Sequence, residues 1–117
     1  LRPDILHAHH PNVIPAAWHA MDELRRGGHP VRISYDVREN FSGLPEKEIG
    51  DVTGHRTMVE MQRRFMPFTD YVTSVNEPIA DLITADYQLS RPAIALSNYP
   101  MLGPSEGAPL ILAAKIP

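Results

Sequence analysis

The chain contains no cysteine, which excludes a disulfide framework, a thiolate nucleophile and a thiolate metal site. No apolar run approaches the ~20 residues that a membrane-crossing helix needs. Charge of one sign is also lacking. The formal net charge is −3, with acidic and basic residues interspersed, which argues against a generic surface for nucleic acid or another polyanion and leaves room only for a local basic patch. Neither Gly-x-Gly-x-x-Gly nor Gly-x-x-x-x-Gly-Lys occurs, which removes the usual dinucleotide and P-loop fingerprints. A serine or cysteine nucleophile elbow is absent too. The sequence holds no internal repeat.

What is present is a rhythm of short apolar runs separated by helical segments. Hydrophobic residues make up 43% of the 117 residues, enough to bury the core of one domain. The twelve prolines fall mostly between apolar segments, as punctuation. Ile5-Leu6-His7-Ala8 reads as a buried strand. Asn12 and Pro15 then open a helix whose apolar face carries Ala17, Ala20, Met21 and Leu24. Asp22 and Arg26, four apart, pair on its outer face, and Gly27-Gly28 ends it. Val31, Ile33 and Tyr35 alternate with Arg32, Ser34 and Asp36 in a second strand.

A polar stretch from Arg38 to Pro45 follows, of the length and irregularity common in functional loops. The spacing of Met58, Met61, Phe65 and Phe68 predicts a helix over 53–66, with Gly54 weakening its start and Pro67 ending it. Asp70 to Val75 is a third strand. Asn76 is an N-cap, Pro78 sits in the first turn, and Ile79, Leu82, Ile83 and Tyr87 line the inner face of a third helix. Ala93 to Leu96 is a fourth strand, closed by Ser97-Asn98-Tyr99-Pro100. Residues 101–117 read as a linker or the start of another element.

Strands separated by helices of this length imply crossovers and a parallel sheet. The fold class is therefore α/β, a Rossmann-like parallel βαβ sheet of about four strands, with Ile5, Ile33, Val72 and Ile94 expected in its interior. The chain starts almost at once with a core strand and carries neither an initiator methionine nor a leader pattern. It is expected to be an incomplete piece of a larger protein, with a sheet edge free to pair in a homodimer.

Ligands of such sheets bind at the carboxyl ends of the strands. Those ends carry His7-Ala8-His9-His10, Asp36-Val37-Arg38-Glu39, Asn76-Glu77 and Ser97-Asn98. Strand alternation puts His7 and His9 on one face, with His7 one step deeper, more buried and hydrogen-bonded for structure. Two imidazoles on one side suit either a metal or acid–base work on a bound hydroxyl. A His-x-His strand end also opens the metal site of amidohydrolase barrels, but that fold needs eight βα units and later histidine ligands. The remaining strand ends offer Asp36, Asn76 and Asn98 instead. His19, His29 and His55 read as surface or turn histidines. Met58, Met61 and Met66 read as core filler.

In order and spacing, several segments together resemble one family: Asp4-Ile5-Leu6-His7-Ala8-His9, Pro11-Asn12, the Pro15-Ala16-Ala17 helix, Tyr35-Asp36-x-x-Glu39, Asp70 to Asn76, and Ser97-Asn98-Tyr99-Pro100. The family is the retaining GT-B glycosyltransferases of family 4, and the resemblance spans residues 2–100. It implies a piece of the N-terminal, acceptor-side domain of an enzyme that moves a sugar from a nucleotide-sugar to a small-molecule, glycan or lipid acceptor. The His-x-His-x-Pro-Asn segment looks like the stretch that brings a histidine to the acceptor in bacterial phosphatidylinositol mannosyltransferases.

By that match His9 is the catalytic-cleft histidine. His10, Asn12, Asp36, Arg38, Glu39, Asn76 and Asn98 are the substrate-binding candidates around it. The family often has Asp-x-His-Glu at the second strand end, where this chain has Arg38 in place of the histidine. The resemblance implies no metal and no cofactor beyond the nucleotide-sugar co-substrate. It places the Gly-rich donor loop ahead of Leu1 and the C-terminal donor domain after Pro117, so the isolated chain is expected to be inactive. It also implies a cytoplasmic protein, with a peripheral membrane position open to the full-length enzyme. The alternatives are a non-catalytic flavodoxin-like binding module, or a metal-dependent hydrolase fragment using His7 and His9.

Overall fold

Residues 31–37 show how the sheet acquires one apolar face. Val31, Ile33, Tyr35 and Val37 are buried and project to one side, because side chains alternate along a strand. Arg32, Ser34 and Asp36 project to the other. The computed structural model describes residues 2–45 and 50–97. In it four strands, β1 (Ile5–Ala8), β2 (Arg32–Val37), β3 (Tyr71–Ser74) and β4 (Ile94–Ala95), form one sheet in the order of the chain. All three pairings are parallel. Helices α1 (Ile14–Arg26), α2 (Val52–Phe65) and α3 (Glu77–Asp86) make the crossovers. The fold is α/β and Rossmann-like, as the sequence rhythm implies. Asn98, the Tyr99-Pro100 pair and residues 101–117 lie outside the described residues.

Local chemistry sets the helix boundaries. A 3₁₀ turn, Pro11–Val13, precedes α1. At the far end His29 N–H donates to Leu24 C=O and Gly28 N–H to Arg25 C=O. Gly28 has φ of +80°, so this is a Schellman stop whose left-handed residue needs glycine. Asp22 and Arg26 pair at 2.7 Å, as their spacing predicts. Helix α2 starts at Asp51, whose Oδ1 accepts from Gly54 N–H at 2.9 Å. A Cβ on Gly54 would run into the Asp51 carboxylate. Gly54, expected to weaken this start, in fact makes room for its cap. Asn76 Oδ1 accepts from Ile79 N–H at 2.9 Å to start α3.

A crossover of one hand, repeated in one direction across a sheet, lays every helix on the same face. The packing follows that rule. Ala8, Tyr35, Val37 and Val72 from the sheet share one cluster with Ile14 of α1, Ile83 of α3 and Met66, against which Trp18 of α1 and Phe65 of α2 pack. Register places Ile5 beside Arg32, His7 beside Ser34 and Tyr71, and Asp36 beside Thr73 and Ile94 on the opposite face. Among the described residues no helix covers that face.

Two of the four expected interior positions are corrected by this geometry. Ile33 and Val72 are buried, whereas Ile5 and Ile94 are 53% and 49% exposed. Ile33 and Val72 belong to the helix-covered face, while Ile5 and Ile94 lie on the bare face of the two edge strands. In the helices, Leu82 and Phe68 are exposed while Ala80 and Gln62 are buried. Helical phase breaks at Met66–Phe68, which winds as a 3₁₀ turn around Pro67, and so carries Phe68 off the inner stripe. No described helix is long and apolar enough to cross a membrane.

Candidate functional site

The carboxyl ends of β1 and β2 bring the chemically capable residues together. His7 and His9 share the bare face, their rings edge to face with centroids 4.3 Å apart. His7 Nδ1 is 2.5 Å from Ser34 Oγ, its register partner on β2. His9 Nδ1 lies 3.4 Å from Asp36 Oδ2. Asp36 Oδ1 accepts the Thr73 hydroxyl at 2.8 Å, and Arg38 Nε lies 3.5 Å from Oδ2. Asp36 is half-buried, while His9 and Arg38 are exposed. One carboxylate thus receives a hydroxyl from β3, an imidazole from β1 and a guanidinium from its own strand end.

The expected burial of His7 is not found. Its hydrogen bond to Ser34 exists, but His7 is exposed like His9. Being one step deeper along β1 gives no cover when no helix lies over that face.

Beside this cluster is a cavity of about 230 Å³ lined by His9, His10, Pro11, Tyr35, Arg38, Glu39 and Phe41. Four of the sequence-predicted site residues, His9, His10, Arg38 and Glu39, meet there. Asp36 touches two of its wall residues, His9 and Arg38. His10 Nδ1 accepts the Asn12 N–H at 3.3 Å, so the Asn12 backbone holds the ring, which lies edge-on to Phe41. Phe41 C=O is 2.5 Å from His55 Nε2, which ties the loop after β2 to α2. Asn76 stands one strand further along, with its side-chain oxygen engaged in the α3 cap.

Tyr35 forms the floor of the cavity and is 1% exposed. Burial pushes its phenol up to about 12, Gln62 partly opposes this through a hydrogen bond, and Tyr87 and Asp36 add to the rise. The folded value lies above the ordinary 10, so the neutral phenol contributes stability below pH 10. That contribution fades as pH rises through about 12. In an alkaline titration followed by phenolate absorbance, one tyrosine should ionise about two units after an ordinary one. If all four tyrosines ionise together near 10, Tyr35 is not enclosed as described.

A wider hollow of about 670 Å³ lies at the opposite, amino-terminal edge of the sheet, lined by Asp4, Arg25, Arg32 and Asp70 among others. Its polar groups are engaged structurally. Arg25 donates twice to Val31 C=O and pairs with Asp70, and Asp70 accepts Ile33 N–H. Chemistry at the carboxyl edge is the better supported, as parallel sheets lead one to expect.

Sequence reasoning missed Ser34 and Thr73, the two hydroxyls that hold His7 and Asp36. Both are on the correct parity of their strands, but only the strand register shows which histidine and which carboxylate they meet. Gln62 was missed because it falls within the inner stripe of α2 among methionines, where a polar side chain gives no periodic signal. Compared with known proteins, the chain matches no family model, and no curated protein matches it.

Proposed function

We propose that this chain is the acceptor-side part of the N-terminal domain of a retaining GT-B glycosyltransferase, family 4, with His9 as the residue that meets the acceptor hydroxyl. One observation carries the reading. His9, His10, Arg38 and Glu39, singled out from two distant segments of sequence, wall a single cavity at the carboxyl edge of the sheet.

Sugar transfer develops positive charge at the anomeric carbon and negative charge on the departing diphosphate. An enzyme therefore gains by orienting the acceptor hydroxyl and stabilising the leaving group. His9 suits the first task. With its proton on Nδ1, beside the Asp36 carboxylate, Nε2 keeps a lone pair that accepts a hydroxyl hydrogen bond. The Thr73 hydroxyl fixes the carboxylate that in turn orients the imidazole. Arg38 and Glu39 supply charge of both signs at the rim for polar groups of the acceptor, and His10, held by the Asn12 backbone N–H, forms part of the wall. Asp36, Asn76 and Asn98 complete the proposed substrate edge.

Leaving-group stabilisation belongs, in this reading, to donor-binding segments of a longer parent chain, and the bare face of the sheet is where the rest of that domain would pack. The isolated chain is then inactive, with the parent a cytoplasmic enzyme. Calorimetry of this chain with a nucleotide-diphosphate sugar should show no binding in the micromolar range. Sub-micromolar binding would place the donor site on these residues and contradict the acceptor-side assignment.

A further inference from the structure

The same face carries a second capability that owes nothing to sugar transfer. His7, His9 and Asp36 each direct one ligand atom into a common space, and the three atoms lie within 4.8 Å of one another. We propose that these residues form a binding site for a divalent transition cation of the zinc class.

The donor set is the first argument. Two imidazoles and one carboxylate suit zinc and its neighbours, and would be a poor choice for calcium or magnesium, which take oxygen ligands. Distance is the second. Ligand bonds of about 2.0–2.1 Å in a tetrahedron set ligand atoms about 3.3–3.4 Å apart. His9 Nδ1 and Asp36 Oδ2 are already 3.4 Å apart. His7 and His9 are exposed, so small side-chain rotations close the remaining gap without disturbing the core.

Two of the three ligands, His7 and Asp36, are also supported from behind. Metal-binding imidazoles and carboxylates are usually oriented by a hydrogen bond from their other atom. Ser34 Oγ engages His7 Nδ1, which leaves Nε2 for a metal. Thr73 Oγ1 engages Asp36 Oδ1, which leaves Oδ2. Each hydroxyl is buried on a neighbouring strand, so it holds its partner in place. Three protein ligands leave at least one position open to water or an incoming oxygen ligand. Arg38, 3.5 Å from Asp36 Oδ2, opposes the cation, but its long exposed side chain can turn away.

A metal on His9 Nδ1 would leave the ring proton on Nε2, the atom whose lone pair the acceptor reading requires, so in that setting the metal would act as an inhibitor. Binding itself is independent of that reading and is measured on this chain alone. Cobalt(II) added to the protein at neutral pH should give a visible d–d band of four- or five-coordinate intensity. Zinc should displace it with one-to-one stoichiometry. His7→Ala and Asp36→Asn should each abolish the band, and Ser34→Ala, which removes no ligand, should weaken affinity by about tenfold or more. His19→Ala should change nothing, although His19 lies 3.4 Å from Glu23 on α1. The proposal is overturned if the band stays at the intensity of hydrated cobalt. It is equally overturned if His7→Ala and Asp36→Asn, with unchanged circular dichroism, bind zinc as the parent sequence does.

Discussion

Replacing Gln62 with leucine should lower the stability of the chain by about 3 kcal/mol, read from the shift of its urea unfolding midpoint. Gln62 is fully buried on α2. Its amide nitrogen donates to the Tyr35 hydroxyl at 3.0 Å, and its amide oxygen accepts from the Tyr87 hydroxyl at 3.3 Å. One side chain therefore satisfies two phenols, one from the central strand β2 and one from the end of α3.

Leucine fills nearly the same space, so the loss comes from polarity and not from a cavity. Each phenol left without a partner inside the core costs roughly 1–3 kcal/mol. The triple variant, with Tyr35→Phe and Tyr87→Phe added, should recover most of the loss, because an all-apolar trio leaves no group unsatisfied. Wild-type stability in the Gln62→Leu variant alone would mean that this network does not join α2 to the sheet.

The second large effect is on chemistry. On the proposed glycosyltransferase reading, His9→Ala in the full-length enzyme should reduce turnover by about 10²-fold or more, the usual scale for a lost acid–base group. It should leave the melting temperature nearly unchanged, since the His9 side chain is 59% exposed and its hydrogen-bond partner, Asp36, keeps Thr73 and Arg38. Asp36→Asn should act through His9. It keeps the shape and removes the charge that orients the ring, so a smaller fall in turnover is expected, with little change in acceptor affinity. His7→Ala should cost little stability, because truncating the exposed ring opens the Ser34 hydroxyl to water, which takes the place of the imidazole.

Much of the fold is visible in the one-dimensional pattern because the physics that fixes it is local. Alternation along residues 31–36, the Gly27-Gly28 stop, the Asn76 cap and the Asp22–Arg26 pair each depend on neighbours within a few residues. The errors arise where a decision is collective. Whether Ile5, Ile94 and His7 are covered depends on all three helices lying on one face, which no single strand reveals. Gly54 read in isolation is a poor helix former, and only the position of the Asp51 carboxylate shows why it is there. At the site, strand ends pointed to His9, Asp36, Arg38 and Glu39. The hydroxyls of Ser34 and Thr73 became meaningful only through register, since serine and threonine on a strand are unremarkable until an imidazole or carboxylate is found beside them.

Sugar transfer by the parent protein, measured beside its His9→Ala variant, bears most directly on the glycosyltransferase reading. With a nucleotide-sugar donor and proton NMR of the product, the parent should form a glycoside that keeps the anomeric configuration of the donor. The variant should do so about 10²-fold more slowly, and residues 1–117 alone should form none. A parent protein that transfers no sugar from any nucleotide donor, or a His9→Ala variant that transfers at the full rate, would contradict it.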